Sequence, residues 1–471
     1  MREQRMDVIV AGGNVVLRDQ VCAVDIGIKD GKIAIIAPRL AGEAGKVIDA
    51  SRKYVIAGVV DAHVHLNEPG LGEWEGFVTG TASLAAGGCT TFIDMPLNGV
   101  PPTVNLASLE LKLEAERKSR SRIDFAIWGG LVPDDVGELK ALAQAGVAGF
   151  KAFMSSPGDR GEDAFRNVDD KTLFEGMHKI ASLGHVLALH AESESIVSKL
   201  TADKLSAGEV TMRDYLDSRP PEAEIEAVKL ALDMATRTGC KLHFVHISTS
   251  EAVDLISEAK RSGQDVTVET CPHYLAFTDE DVIRIGASAK CSPPIRTDKE
   301  REALWQRLAN GDIDFVASDH SPCPPSMKQS DNGNYFEAWG GILGAQSTLE
   351  LIVTEGWQKR GIPLPVLSRV MSAAPAERFG LRHRKGAIEV GLDADLAIVD
   401  LEASYVLTAE HLKYRHPHSA YEDFEFGCRI EATLLRGEFV YDRKTANGGL
   451  DADHRTGGLR LWPEPSTSRM G

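Results

Sequence analysis

Apolar and polar positions along the chain fall into two textures. Near the start, residues 7–17, 24–38 and 46–58 read as short strands joined by turns. Val24, Ile26 and Ile28 share one face there, and a Lys-Asp-Gly turn precedes Ile33. The same texture returns in residues 386–407 and 433–445. Between these ends, strand-like runs (59–66, 90–96, 124–131, 147–154, 185–192, 241–248, 265–271 and 314–321) alternate with helical stretches such as 106–118, 134–146, 223–239 and 250–263. Eight strands alternating with helices predict parallel βα units, and eight is the number that closes a barrel; a doubly wound open sheet shows the same alternation. The expected architecture is α/β: a (β/α)8 TIM-like barrel over 58–385 and a small β-sandwich domain formed by 1–57 and 386–446 from both ends of the chain. A tail over 447–471, rich in Gly, Arg and Pro, is expected to be peripheral.

Composition narrows the class. The chain has 471 residues, 43% of them hydrophobic and 26% charged, enough for a sizeable core under an ordinary solvated surface. A formal net charge of −17 argues against nucleic acid or an anionic membrane as partner, since both reward a basic face. Seven scattered cysteines with no CxxC pair fit a reducing compartment better than a disulfide framework. No apolar signal region opens the chain, and no run of about 18 apolar residues appears. The expectation is a cytoplasmic enzyme acting on a small molecule.

The chemistry is carried by strand ends. In Asp61-Ala62-His63-Val64-His65, alternation puts Asp61, His63 and His65 on one face, so two imidazoles can hold one cation inside the barrel. Alone, the pair reads almost as well as two core histidines. However, His190, His246 and Asp319 close three further strand-like runs, on the rim where barrel enzymes place catalytic groups. Four imidazoles and a carboxylate exceed the three protein ligands of a single catalytic zinc, so two metals are the simpler account. Lys151 closes the set at the end of the fourth run. An ordinary ammonium beside two cations is disfavoured by burial and repulsion. Lys151 therefore either snorkels to solvent or pairs with a carboxylate, or it is carboxylated by carbon dioxide into an anionic bridge. His243 and His320 are expected on opposite faces from their neighbouring ligands, and His273 is balanced between a supporting role and none.

The segments GVVDAHVHLNEP, GFKAFMS, LALHAE, FVHIS, ETCPHYL and ASDHSP, in that order, resemble the cyclic amidohydrolases, a family of dihydroorotases, hydantoinases, dihydropyrimidinases and allantoinases. The resemblance covers nearly the whole chain. It implies that His63, His65 and Asp319 hold one divalent ion and His190 and His246 the other, with carboxylated Lys151 bridging. Zinc stands first among zinc, cobalt, manganese and iron. It also implies a homo-oligomer, a tetramer. The reaction expected is attack of a metal-bridging hydroxide on a ring amide, with Asp319 as general base and then acid; ligation alone is the other reading of Asp319.

The substrate follows from smaller departures. Dihydroorotases typically carry Arg two residues after the second histidine, where it binds a carboxylate; here that residue is Asn67. Hydantoinases typically carry a tyrosine shortly after the lysine, where Phe153, Ser155 and Ser156 stand. NEPG followed by EWEGF, together with DMPLN, resembles the allantoinase branch, while Leu71 and Gly99 depart from it. A small neutral cyclic amide is the expected partner, held by Asn98, Ser292 and Ser321, each of which could equally cap a loop. The alternatives are a hydantoinase or dihydropyrimidinase, and a non-catalytic assembly protein on the same scaffold.

Overall fold

The structure is a computed structural model that describes residues 5–40, 44–158, 164–329, 333–445 and 458–461. Five strands open the chain: β1 (Met6–Val16), β2 (Val21–Lys29), β3 (Lys32–Ala37), β4 (Ala44–Asp49) and β5 (Tyr54–Ala57). Residues 46–58 thus hold most of β4 and all of β5, separated by a turn. β1 pairs antiparallel with β2, then runs parallel to β4 along its first half and to β5 along its second.

The barrel follows: β6 (Val59–Val64), β7 (Cys89–Asp94), β8 (Asp124–Ile127), β9 (Gly129–Gly130), β10 (Phe150–Phe153), β11 (Val186–His190), β12 (Lys241–Phe244), β13 (Val266–Thr270) and β14 (Phe315–Val316). All pair in parallel. β8 and β9 are one strand interrupted at Trp128, whose side chain turns inward and donates from Nε1 to the carbonyl of Ala62 at 3.0 Å. The two strand sets are therefore one ring of eight. It closes where Val64 meets His320 and the His65 N–H donates to the His320 carbonyl at 2.9 Å. β6, β7 and β8 are buried at every position, including their polar residues Asp61, His63, Thr90, Thr91, Asp94 and Asp124. β6 lies close against β7, and a Cβ at Gly58 would sit 2.3 Å from the Thr90 hydroxyl oxygen.

After the barrel come β15 (Leu396–Asp400), the short pair β16 (Tyr405–Val406) and β17 (Glu425–Phe426), and then β18 (Arg429–Leu435) and β19 (Glu438–Asp442). β15 pairs with β5 on one side and β18 on the other, so both ends of the chain share one sheet. Its core gathers Val10, Val15, Ile26, Val55, Leu396 and Leu434. Most of the tail from 447 lies outside the described residues. The described part, 458–461, runs beside β8, with Arg460 bridged to Phe125 and Leu461 buried against Val60, Ala376 and Leu381.

Candidate metal centre

The ring closes on its own chemistry. Asp61 is buried and its carboxylate accepts from the backbone N–H groups of His63 and Ser318, both at 3.2 Å, tying the first barrel strand to the last. This places His63 and His65 against Asp319. One Asp319 oxygen lies 3.1 Å from His63 Nε2 and 3.4 Å from His65 Nε2. These three are one of two donor groups, among the described residues, compact enough to share an ion. Burial pushes the Asp319 carboxyl up, but His63, His65 and His246 outweigh it and hold it well below the usual carboxylate range. Asp319 and His246 both adopt positive φ, 45° and 40°, unusual for non-glycine residues and frequent at functional sites.

His190 and His246 form a second pair of donors, with His190 Nδ1 3.1 Å from His246 Nε2. His190 Nε2 is engaged by Glu192 at 2.9 Å, and Glu192 is gripped by Arg219. This leaves Nδ1 as the nitrogen that His190 can offer to an ion. His63 links the two pairs, its ring centroid 5.4 Å from those of both His65 and His246.

Lys151 is fully buried and its Nζ has no hydrogen-bond partner, so it neither snorkels nor pairs. Burial lowers its pKa to about 7, with Asp319 and Glu269 pulling the other way. An orphaned amine that titrates near neutrality is partly free to react as a nucleophile. The imidazole and carboxylate donors, and an amine with no partner of its own, together fit a divalent metal centre.

The second compact donor group, Asp124, Asp393 and Asp395, is already filled. Lys385 Nζ lies 2.5, 3.0 and 2.7 Å from their oxygens, and Arg436 adds a second cation on Asp124. It joins barrel strand β8 to the end sheet.

Glu269, in the ETCPHYL segment, was not singled out from the sequence. Its Oε1 lies 2.8 Å from His63 Nδ1 and its Oε2 lies 3.1 Å from His243 Nε2. Burial opposes its charge, but His63 and His243 hold its pKa at about 2. His243, expected on the face away from the ligands, thus reaches the same carboxylate as His63. The parity argument fails because β12 ends at Phe244 and His246 lies beyond it in a left-handed turn. Asp94 is a second such residue. It accepts from the Leu66 N–H at 3.0 Å and pairs with buried Lys112, steadying the turn that follows His65. A carboxylate at a strand end was the available signal for both.

The expected substrate groups are spread around the rim. Ser321 lies beside the donors, its hydroxyl 3.4 Å from Asp319 Oδ1. The Ser292 hydroxyl pairs with the Tyr215 hydroxyl at 2.6 Å. The Asn98 carbonyl accepts from the Asn67 side chain at 3.2 Å, and both residues are left-handed turn residues. The carbonyl oxygen of the Asn67 side chain is buried without a partner, as are both ring nitrogens of His273. His320 stacks on Tyr414, with ring centroids 5.0 Å apart. Trp74 meets Trp339 edge-on at 5.0 Å, joining the loops after β6 and β14. All seven cysteines are free, and no described helix is long and apolar enough to cross a membrane.

Comparison with known proteins is consistent with this geometry. The model of the amidohydrolase family matches residues 54–440. An allantoinase of Rubrobacter xylanophilus is 50% identical over 436 residues, covering 93% of this chain and 94% of its own. One of Escherichia coli O1:K1 is 45% identical over 437 residues, covering 93% and 95%. Among solved structures, the L-hydantoinase (dihydropyrimidinase) of Arthrobacter aurescens superposes with a TM-score of 0.88 at 36% identity, covering 93% of this chain and 97% of that one. The dihydropyrimidinase of Brevibacillus agri gives 0.88 at 27% identity, covering 97% and 98%.

Proposed function

Because this chain belongs to the amidohydrolase family, we propose that it is an allantoinase, hydrolysing a ring C–N bond of allantoin to give allantoate in purine breakdown. The observation that carries the reading is the convergence of His63, His65 and Asp319 at the barrel seam, in a chain half identical to curated allantoinases. Asn67 supports a neutral substrate, since no guanidinium stands at that position. The guanidinium of Arg219 is committed to Glu192.

His63, His65 and Asp319 would hold one divalent ion and His190 and His246 a second, with Lys151, carboxylated, supplying the bridging anion. When bound, such ions acidify water and polarise a carbonyl oxygen. Asp319 accepts the proton of the attacking water and delivers it to the leaving nitrogen, and its lowered pKa means that it enters the reaction as the carboxylate. Ser321, the Ser292 backbone and Asn98 hold the ring and its ureido group through neutral hydrogen bonds. Glu269 fixes His63 with Nδ1 as donor, which would leave Nε2 to hold an ion. The same reading carries a zinc pair, a homotetramer and a cytoplasmic setting, the last supported by seven unpaired cysteines.

The test is a substrate panel. Protein loaded with zinc, cobalt or manganese is assayed on allantoin, hydantoin, dihydrouracil and dihydroorotate. Turnover of allantoin well above the others is the expected result, with about two metals per chain by elemental analysis. Turnover of dihydrouracil without allantoin would move the chain to the dihydropyrimidinases.

A further inference from the structure

Two lysines with no part in the metal centre, Lys290 and Lys328, are buried close to Ser292 in the chain or in space. Lys328, in the loop after β14, points its Nζ into a cage of backbone carbonyls. Those of Ala287 and Trp339 lie at 3.0 Å, that of Lys290 at 3.5 Å, and Gly341 completes the set. Lys290 reaches back the other way, donating to the carbonyls of Ala338 at 2.5 Å and Phe336 at 3.2 Å. The Gly341 N–H donates to the Lys290 carbonyl at 2.9 Å, closing the same seam. No carboxylate approaches the Lys328 ammonium within ion-pairing distance among the described residues. Among the described residues its charge is met by carbonyl dipoles.

The two stitched segments flank Ser292, whose backbone is proposed above to face the substrate. Residues 287–290 lead directly into Cys291 and Ser292, and residues 339–341 bring Gly340 to within 3.8 Å, at a notional Cβ, of the Ser292 hydroxyl. Trp339, whose carbonyl lies in the cage, also donates from Nε1 to the Ser321 carbonyl at 3.2 Å. An ammonium can point protons at several convergent carbonyls, where a planar guanidinium is restricted to a fork.

We propose that Lys328 is a positioning residue for substrate: by clamping the carbonyls of Ala287, Lys290, Trp339 and Gly341 it sets the distance between the Ser292 backbone and the loop after β14, and with it the fit of the cyclic amide. This rests on the function proposed above. Burial lowers the Lys328 pKa to about 8, so the ammonium remains the main form at neutral pH. The wall it holds contributes none of the six groups assigned to the metals.

Steady-state kinetics on metal-loaded wild type, K328M, K328R and K328A test it. K328M and K328R should raise KM about tenfold or more while kcat changes by less than about threefold, with metal content unchanged. In K328A, ammonium chloride should lower the raised KM, and sodium chloride at equal strength should not, because ammonium can re-enter the cage as a donor. K328R keeps the charge and serves if the neutral variants do not fold. A wild-type KM in either K328M or K328R overturns the proposal, as does a fall in kcat that tracks loss of metal. If the wild type turns over dihydrouracil instead of allantoin, the substrate reading fails, and the same KM comparison is made on dihydrouracil.

Discussion

Glu269 and His63 come from strands far apart in the chain, yet their side chains meet at 2.8 Å with no solvent between them. The contact fixes which imidazole nitrogen carries the proton, and therefore which one is free to bind metal. E269Q keeps the shape but can present its amide N–H to Nδ1 and loses the charge. Metal affinity should fall about 10- to 100-fold, read by competition with a chromogenic chelator. Unchanged affinity would mean that His63 is oriented by packing alone.

Lys151 should be the residue that makes a second ion possible. K151M removes the amine while conserving most of its volume and should reduce the metal content from about two ions per chain to one or fewer. Wild-type protein given isotope-labelled bicarbonate should show a carbamate carbon signal by NMR that K151M lacks. A K151M protein holding the full complement would rule out a bridging role.

Lys385 is the only cation that touches all three of Asp124, Asp393 and Asp395 among the described residues. Removing one partner of a buried ion cluster leaves uncompensated charge, so K385M should cost about 3–5 kcal/mol in urea unfolding. A metal-loaded K385M that stays folded should keep its KM, because the cluster lies at the junction with the end sheet. A loss under about 1 kcal/mol would show that the carboxylates take up protons or water instead.

Glu350 gives a pH signature away from the site. It is buried, accepting from the Tyr405 hydroxyl at 2.5 Å and the Ile430 N–H at 2.7 Å, and burial pushes its carboxyl up to about 7. Between its ordinary value and 7 the folded protein holds a proton that the unfolded chain has released. Its contribution to stability is therefore present at low pH and lost as pH rises through that window. Relative to E350Q, the wild-type melting temperature should decline from about pH 5 to pH 8. Parallel curves for the two proteins would exclude this group as the cause.

The barrel was legible because mainly apolar runs alternate with helical stretches, and each of the eight expected runs contains a strand. The ligand-type residues were legible for the same reason, since His63, His65, His190, His246 and Asp319 all stand where such a run stops. What escaped was held by partners distant in the chain. Glu269 gains its meaning from His63 and His243, and the Lys385 cluster from Asp124, more than two hundred residues away. Nothing local marks a lysine that will sit among carbonyls, so Lys328 reads as an ordinary loop residue. Parity along a strand failed for His243 because it assumes that the strand continues, and β12 stops one residue after His243.

The seam between Asp61 and Ser318 spans 257 residues. On a ribosome, the two histidines of the first strand emerge long before Asp319 has been made, and for that interval no complete three-donor pocket exists. Closing the ring and completing that pocket are the same event. A chain stalled or cleaved before its last barrel strand has histidines able to scavenge metal but no carboxylate to complete the set. Metal supplied during synthesis should therefore give no advantage over metal supplied to the finished protein.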